Sequence, residues 1–285
     1  MADGTALDDA ESESAAELQA SIRTDIPHSA RMYDYFLGGR TNYRPDREAA
    51  DEVATIFPGV FLGVLENRDF MHRATRVLAR SYGIRQWLDI GTGIPTSPNL
   101  HEVAQSVAED ARVVYVDYDP IVLNYARALL RSTPAGRTAY VQADATDTDA
   151  ILSDQTLAAT LDLSRPAVLS LNALLHFIPD DRDPYGIVSR LMAALPSGSA
   201  LAISHCTPDF DPEMWAEVVG VYRSSGTPTQ VRTRAEVERF FEGLDLVEPG
   251  IVVGHRWRPE ETDRAETPLV SDADVSLWVG VAIKP

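Results

Sequence analysis

The sequence predicts an α/β fold: a doubly wound, mostly parallel sheet preceded by an all-helical segment. Three observations carry this. From residue 84 onward, short continuous apolar runs alternate with segments of helical spacing. Repeated βα units of that kind give parallel strands covered by helices on both faces. Between residues 27 and 83 the apolar residues recur only at helical intervals, with no run that reads as a strand. Near its end the chain carries two further apolar runs, 246–253 and 275–283, which suit a last antiparallel hairpin in the sheet.

In the helical segment, Met32, Tyr35 and Phe36 share one helix face, and Gly38-Gly39 supplies a stop. A second helix starts at Arg44-Pro45, with proline in the first turn, carries Ala49, Val53 and Ile56, and breaks at Phe57-Pro58-Gly59. Phe70, Ala74, Val77 and Leu78 mark a longer helix that ends at Gly83. Beyond it, strands are expected at 86–90, 112–116, 138–142, 167–171 and 200–204, with helices at 97–108, 120–131, 149–161 and 184–195. Another helix follows Pro212, and a shorter one occupies 234–241. The organisation expected is a disordered acidic tail over 1–24, a helical cap over 25–83, and the α/β domain over 84–285.

Composition excludes several classes. A formal net charge of -18 opposes the approach of a phosphate backbone, so no nucleic-acid partner is expected. The single cysteine, Cys206, permits neither an intramolecular disulfide nor a cysteine metal cluster, and no metal is expected. The N-terminal stretch has no apolar core of a signal peptide, and no run reaches the ~18 apolar residues of a spanning helix. The expectation is a cytoplasmic protein without a membrane partner.

The chemistry concentrates in the first βα turn, Leu88-Asp89-Ile90-Gly91-Thr92-Gly93. Glycine allows a tight turn and lets the backbone approach a ligand with no Cβ in the way. Asp117 follows 24 residues after Gly93, at the end of the run VVYV, where an acid can accept both ribose hydroxyls of an adenosine cofactor. Asp144 follows the third strand in VQADA, placed to accept from an adenine amine. Three acids at the carboxyl ends of consecutive strands converge on one crevice. A dinucleotide pattern needs a third glycine where this chain has Thr96, preceded by Pro95. The acid Asp89 at the start of the turn suits a cationic ligand better than a diphosphate. S-adenosylmethionine (SAM) carries a sulfonium and an amino group and no phosphate, so SAM is the cofactor expected and a nicotinamide dinucleotide is disfavoured.

LDIGTG, VVYVDYDP, VQADATD and NALLHFIPD resemble the successive motifs of class I SAM-dependent methyltransferases. DIPHSARMYDYFLGGRTNYRPDREAA, ENRDFMHRATRVLA, GIRQWLDIGTG and NLHEVAQ are similar to a more specific group, the actinobacterial S-adenosyl methyltransferase family long catalogued as a domain of unknown function. The resemblance implies a Rossmann-like class I fold with seven strands and a helical cap over the cofactor. It implies that Asp89, Gly91 and Gly93 flank the methionine end of SAM, that Asp117 binds ribose, and that Asp144 with Ala145 forms the adenine corner. Asn172, at the end of the fourth strand, is implied to touch the methionine moiety and face the substrate. The chain departs from the superfamily pattern at Pro95, where many class I enzymes have a third glycine.

Nearer the acceptor, His176 in NALLHFIPD is the candidate general base, with His205 beside Cys206 a second. In the cap, Tyr33, Asn42 and Arg68 are expected to close over SAM around the glycine-rich GGRTNY loop, Arg68 pairing with its carboxylate. The competing expectation for Arg68 is a salt bridge to Glu66 or Asp69 on its own helix. The function expected is methyl transfer to a small-molecule acceptor. The alternative is a non-catalytic SAM-binding regulator or interaction protein. The sequence leaves the acceptor and the oligomeric state open.

Overall fold

The computed structural model describes residues 23–129, 131–259 and 270–285. Residues 1–22, and with them nearly all of the expected acidic tail, lie outside that range. The first part is helical, as α1 (Ser29–Phe36), α2 (Arg44–Ile56) and α3 (Val60–Ser81). Pro45 sits in the first turn of α2, and Asp46 at its third position accepts from the Tyr43 backbone N–H.

The sheet then builds in βα units. β1 (Gln86–Ile90) is followed by α4 (Leu100–Val107), β2 (Arg112–Asp117) by α5 (Pro120–Leu129), and β3 (Arg137–Gln142) by α6 (Thr148–Ser153) and α7 (Gln155–Thr160). β4 (Val168–Asn172) leads through a short turn, Leu175–Phe177, to α8 (Pro184–Ala193), and β5 (Ala200–Cys206) leads to α9 (Pro212–Ser224) and α10 (Arg234–Glu238). The segment expected as one helix over 149–161 is broken because Asp154 caps a new start, its side chain accepting from Thr156 and Leu157 N–H.

Strands run in the order β3-β2-β1-β4-β5, all parallel, and the last long strand β8 (Leu277–Ile283) adds antiparallel to β5. The expected final hairpin is present in modified form. The run 246–253 is not one strand but two short pieces, β6 (Asp245–Leu246) and β7 (Val252–Val253), each antiparallel to β8, so the described residues hold eight strands rather than seven. Pro249 between them has no N–H to donate to a ladder, and Gly250 turns at φ 82. A four-residue helix, α11 (Asp272–Val275), precedes β8.

Strand alternation decides what each face meets. Leu88, Ile90, Val114, Val116, Leu169, Leu171, Leu201 and Ile203 point to one core, covered by α6, α7 and α8. Trp87, Val113, Val168, Ala200 and Ala202 point to the other, covered by Phe70, Ala74 and Leu78 of α3 and by α4. Thus α3 belongs both to the helical segment and to the sheet's main covering layer. A third core joins α1, α2 and the start of α3 to Trp215, Val218 and Val221 of α9. The cap is therefore held by a helix from the far end of the chain.

Candidate active site

The two-residue period has a consequence at the carboxyl ends of the strands. On the side facing α3 the series ends in polar residues: Asp89 on β1, Asp117 on β2, Ser170 and Asn172 on β4, Ser204 on β5. Asp89, Asp117 and Asn172 line one cavity, which the helical segment and α9 roof. In sheet order β2, β1, β4 and β5 it spans three inter-strand spacings, roughly 14 Å.

The glycine turn after β1 is shaped by two positive-φ residues, Gly91 at 74 and Gly93 at 66. Gly91 also has no room: a Cβ there would lie 2.6 Å from Leu174 Cδ1. The Gly93 N–H donates to Asp117 Oδ2 at 2.9 Å, and the Asp119 N–H donates to Asp117 Oδ1 at 3.0 Å. Asp117 is thereby aimed by the two turns that flank the crevice. Its burial raises its pKa despite those two donors.

Asp89 is deeper. Ser170 Oγ donates to Asp89 Oδ1 at 2.6 Å, and burial pushes the carboxyl up to about 6. Because the Ser170 proton is spent on Asp89, the Ser170 oxygen accepts from Asn172 Nδ2 at 2.8 Å. That fixes the orientation of the Asn172 amide and leaves its Oδ1 as the free atom, buried and with no hydrogen-bond partner among the described residues.

His176 lies in the turn after β4 and lines the same cavity, with its Nδ1 also buried and unpartnered. Burial and the nearby Arg232 guanidinium hold it down to about 3, so it is neutral at pH 7. Behind it, ring centroids 5.4 Å apart, sits His205. The fully buried Arg232 approaches His205 Nε2 at 3.0 Å and also donates to the carbonyls of Leu175 and Ile178. Arg232 can only donate, so His205 Nε2 accepts, and Nδ1 carries the proton given to the Cys206 carbonyl at 2.7 Å. His205 itself is turned away from the cavity, and Arg232 pins the backbone that presents His176.

The cap residues divide. Tyr33 and Arg68 line the cavity; Asn42 does not. Asn42 Nδ2 donates to Asp34 Oδ2, as does the Thr41 N–H, so the GGRTNY loop folds around the Asp34 carboxylate. Gly38 there has φ 74, and a Cβ on Gly39 would meet Asp34 Oδ1 at 2.0 Å, which accounts for both glycines. Arg68 pairs with neither Glu66 nor Asp69 through its terminal nitrogen. Nη2 donates to the carbonyls of Thr96 and Pro98, tying α3 to the loop after the glycine turn. Asp144 is exposed and accepts from Thr146 N and Oγ1, with Arg182 at 3.6 Å, while its neighbour Ala145 lines the cavity.

The sequence reading passed over several lining or supporting residues. His28 and Tyr118 line the cavity at the β2 end, with His28 Nε2 2.6 Å from the Tyr118 hydroxyl. Asn67 lines it too, and the buried Ser170 and Ser204 support it from beneath, hydrogen-bonded to Asp89 and to Asn67. Ser170 and Ser204 were legible as polar residues on otherwise apolar buried strands, which need partners. Nothing local marked Asn67 or the α9 residues Trp215, Val218 and Tyr222, since only the tertiary packing brings that helix over the site.

A model of the S-adenosyl methyltransferase family matches residues 15–285. The chain belongs to that family. It is similar to a DUF574 family protein from Streptomyces avermitilis, at 51% identity over 92% of this chain and 99% of that one, with a TM-score of 0.89. It is also similar to a provisionally named methyltransferase from Thermobifida fusca, at 37% identity over 93% and 97% of the two chains and a TM-score of 0.85. A more distant likeness, to an O-methyltransferase family protein from Burkholderia thailandensis, has a TM-score of 0.51 at 13% identity over 95% of this chain and 68% of that one, and concerns the fold alone. No curated protein matches the chain. The protein is a SAM-dependent methyltransferase with a class I, Rossmann-like sheet. Among the described residues, no helix is long and apolar enough to cross a membrane, and no cluster of side chains could hold a metal.

Proposed function

We propose that this methyltransferase acts on a small-molecule acceptor held inside the cavity, beside SAM bound along the carboxyl edge of β2, β1 and β4. The observation that carries the reading is the roof. The cavity that begins at Asp117 continues past Asn172 and Cys206 under α1, α2, α3 and α9, which suits an enclosed ligand better than a macromolecular surface. The donor set fits the cofactor. Two buried carboxylates match the ribose hydroxyls and a cationic centre, and Arg68 faces the same space.

In this reading Asp117 accepts from the ribose and the Ala145 corner, with Asp144 at its rim, borders the adenine. Gly91 and Gly93 admit the ligand close to the backbone. Asp89 compensates the positive charge at the methionine end, and Arg68 turns from the Thr96 and Pro98 carbonyls toward the carboxylate. Bound SAM supplies a methyl group already activated by its sulfonium. The protein's part is to hold the acceptor atom in line and to exclude water. Asn172 Oδ1 orients the acceptor's proton. His176, held near 3, is too weak a base to remove a proton beforehand, and takes it only as the new bond to carbon forms. Calorimetry should show SAM and S-adenosylhomocysteine binding and no binding of NAD. A small-molecule panel scored for S-adenosylhomocysteine release should then yield turnover. Tight NAD binding without SAM binding would defeat the proposal.

A further inference from the structure

The cavity is chemically divided, and its far end specifies an acceptor class. The charged residues that line it, Arg68, Asp89 and Asp117, all lie at the β2 and β1 end or on the face of α3 beside it. At the β5 end the wall comes from Phe36, Phe57, Trp215, Val218, Phe177 and Tyr222. Their rings pack against one another, Phe57 with Trp215 and Phe177 with Tyr222, each pair with centroids 5.5 Å apart. The titratable groups there are neutral at pH 7. Cys206 is pushed up to about 12 by burial, Tyr222 is raised further, and His176 is held near 3. A charged acceptor would be desolvated at this end with no counter-charge to meet it.

Between the two ends stand the buried, unpartnered Asn172 Oδ1, an acceptor, and His176 Nδ1, on the boundary where the methyl group must pass. We propose that the methyl acceptor is an uncharged, largely apolar ring compound seated among Phe36, Phe57, Trp215 and Tyr222, with one O–H or N–H directed at Asn172 Oδ1. This rests on the assignment of the charged end to SAM. The aromatic wall supplies most of the binding, and the single polar contact sets which atom faces the cofactor.

The test uses the full chain saturated with S-adenosylhomocysteine and four probes of one shape: 2-naphthol, naphthalene, 2-naphthoate and 2-naphthylmethylammonium. Binding is followed by fluorescence. 2-Naphthol is expected to bind about tenfold or more tightly than either ion, and about fivefold or more tightly than naphthalene. Val218→Trp, which fills the chamber, should remove naphthol binding while S-adenosylhomocysteine affinity stays within about twofold, and that retained affinity reports an intact fold. The wild-type probe series decides the matter without any variant. Tighter binding of either ion, or of naphthalene over naphthol, overturns the proposal, as does naphthol binding that survives Val218→Trp. If S-adenosylhomocysteine itself does not bind, the cofactor assignment fails instead, and the two failures are told apart.

Discussion

Ser204 donates its hydroxyl proton to Asn67 Oδ1 across 2.5 Å, joining the end of β5 to the middle of α3. The same asparagine donates from Nδ2 to the Tyr33 hydroxyl at 2.8 Å, and Tyr33 donates on to the Val64 carbonyl. The Ser204 oxygen also accepts from the Ala173 N–H, a residue at φ 52 in the turn that leads to His176. One buried polar chain therefore connects the cap helix α1, the long helix α3 and the backbone just beyond Asn172. Asn67→Ala leaves two buried hydroxyls short of a partner, at a cost of about 1–3 kcal/mol. Thermal denaturation should show a midpoint several degrees lower, and amide exchange should rise first in 29–56. An unchanged midpoint with unchanged exchange would show that the chain is decorative.

The position of Asp89 makes cofactor binding pH-dependent. Its carboxyl is raised from 3.8 to about 6 by burial, so the free protein protonates it near pH 6. The group favours the folded, ligand-free protein most below the unfolded value, and that contribution, about 3 kcal/mol, is lost as pH rises through about 6. A cationic ligand prefers the ionised form, so affinity for SAM should fall as pH drops below about 6, by up to about tenfold per unit. Calorimetry at pH 6 in two buffers of different ionisation enthalpy should detect proton release on binding. Asp89→Asn should bind SAM more weakly at pH 7.5 and lose the pH slope. A wild-type affinity that is flat between pH 5 and 7.5 would remove Asp89 from the cationic end.

Arg68 has two readings that a paired ligand separates. As found, it ties α3 to the Thr96 and Pro98 carbonyls. In the proposed complex it turns from them to the SAM carboxylate. Arg68→Ala should weaken SAM by roughly tenfold or more, the scale of one charge-assisted hydrogen bond. It should leave the affinity for decarboxylated SAM, which has no such group, little changed. If both ligands weaken equally, Arg68 acts only by holding the loop.

Much of this architecture could be read from residue order. Short continuous apolar runs and helical spacing located the five parallel strands to within a residue or two, and the turn LDIGTG with Asp117 located the crevice. What failed to appear in sequence depended on distance along the chain. The run 246–253 has the hydrophobicity of a strand, yet Pro249 and Gly250 divide it, and only pairing with β8 shows that both halves belong to the sheet. Asn42 was legible as part of a special loop, but that loop closes on Asp34 rather than on the cavity. The acceptor wall was invisible for a related reason. It is built from α1 and α2 at one end of the chain and from α9 near the other, and each contributes residues that by themselves look like ordinary core.

Gly91 and Gly93 share a conformation but not a surrounding, and substitution should distinguish them. Both have φ near 70, so an alanine at either carries the left-handed penalty, on the order of 1–2 kcal/mol. At Gly93 a Cβ would meet nothing within 4 Å. At Gly91 it would collide with Leu174, which lines the cavity two residues before His176. Gly93→Ala should therefore lower stability modestly and impair SAM only through occlusion of the turn. Gly91→Ala should destabilise by about 1–3 kcal/mol more, as overpacking does, because Leu174 must be displaced. The double variant Gly91→Ala with Leu174→Ala should recover part of that loss, whereas Leu174→Ala alone should not stabilise. Chemical denaturation of the four proteins gives the coupling. A coupling energy near zero would show that the contact with Leu174 does not determine the first glycine of the turn.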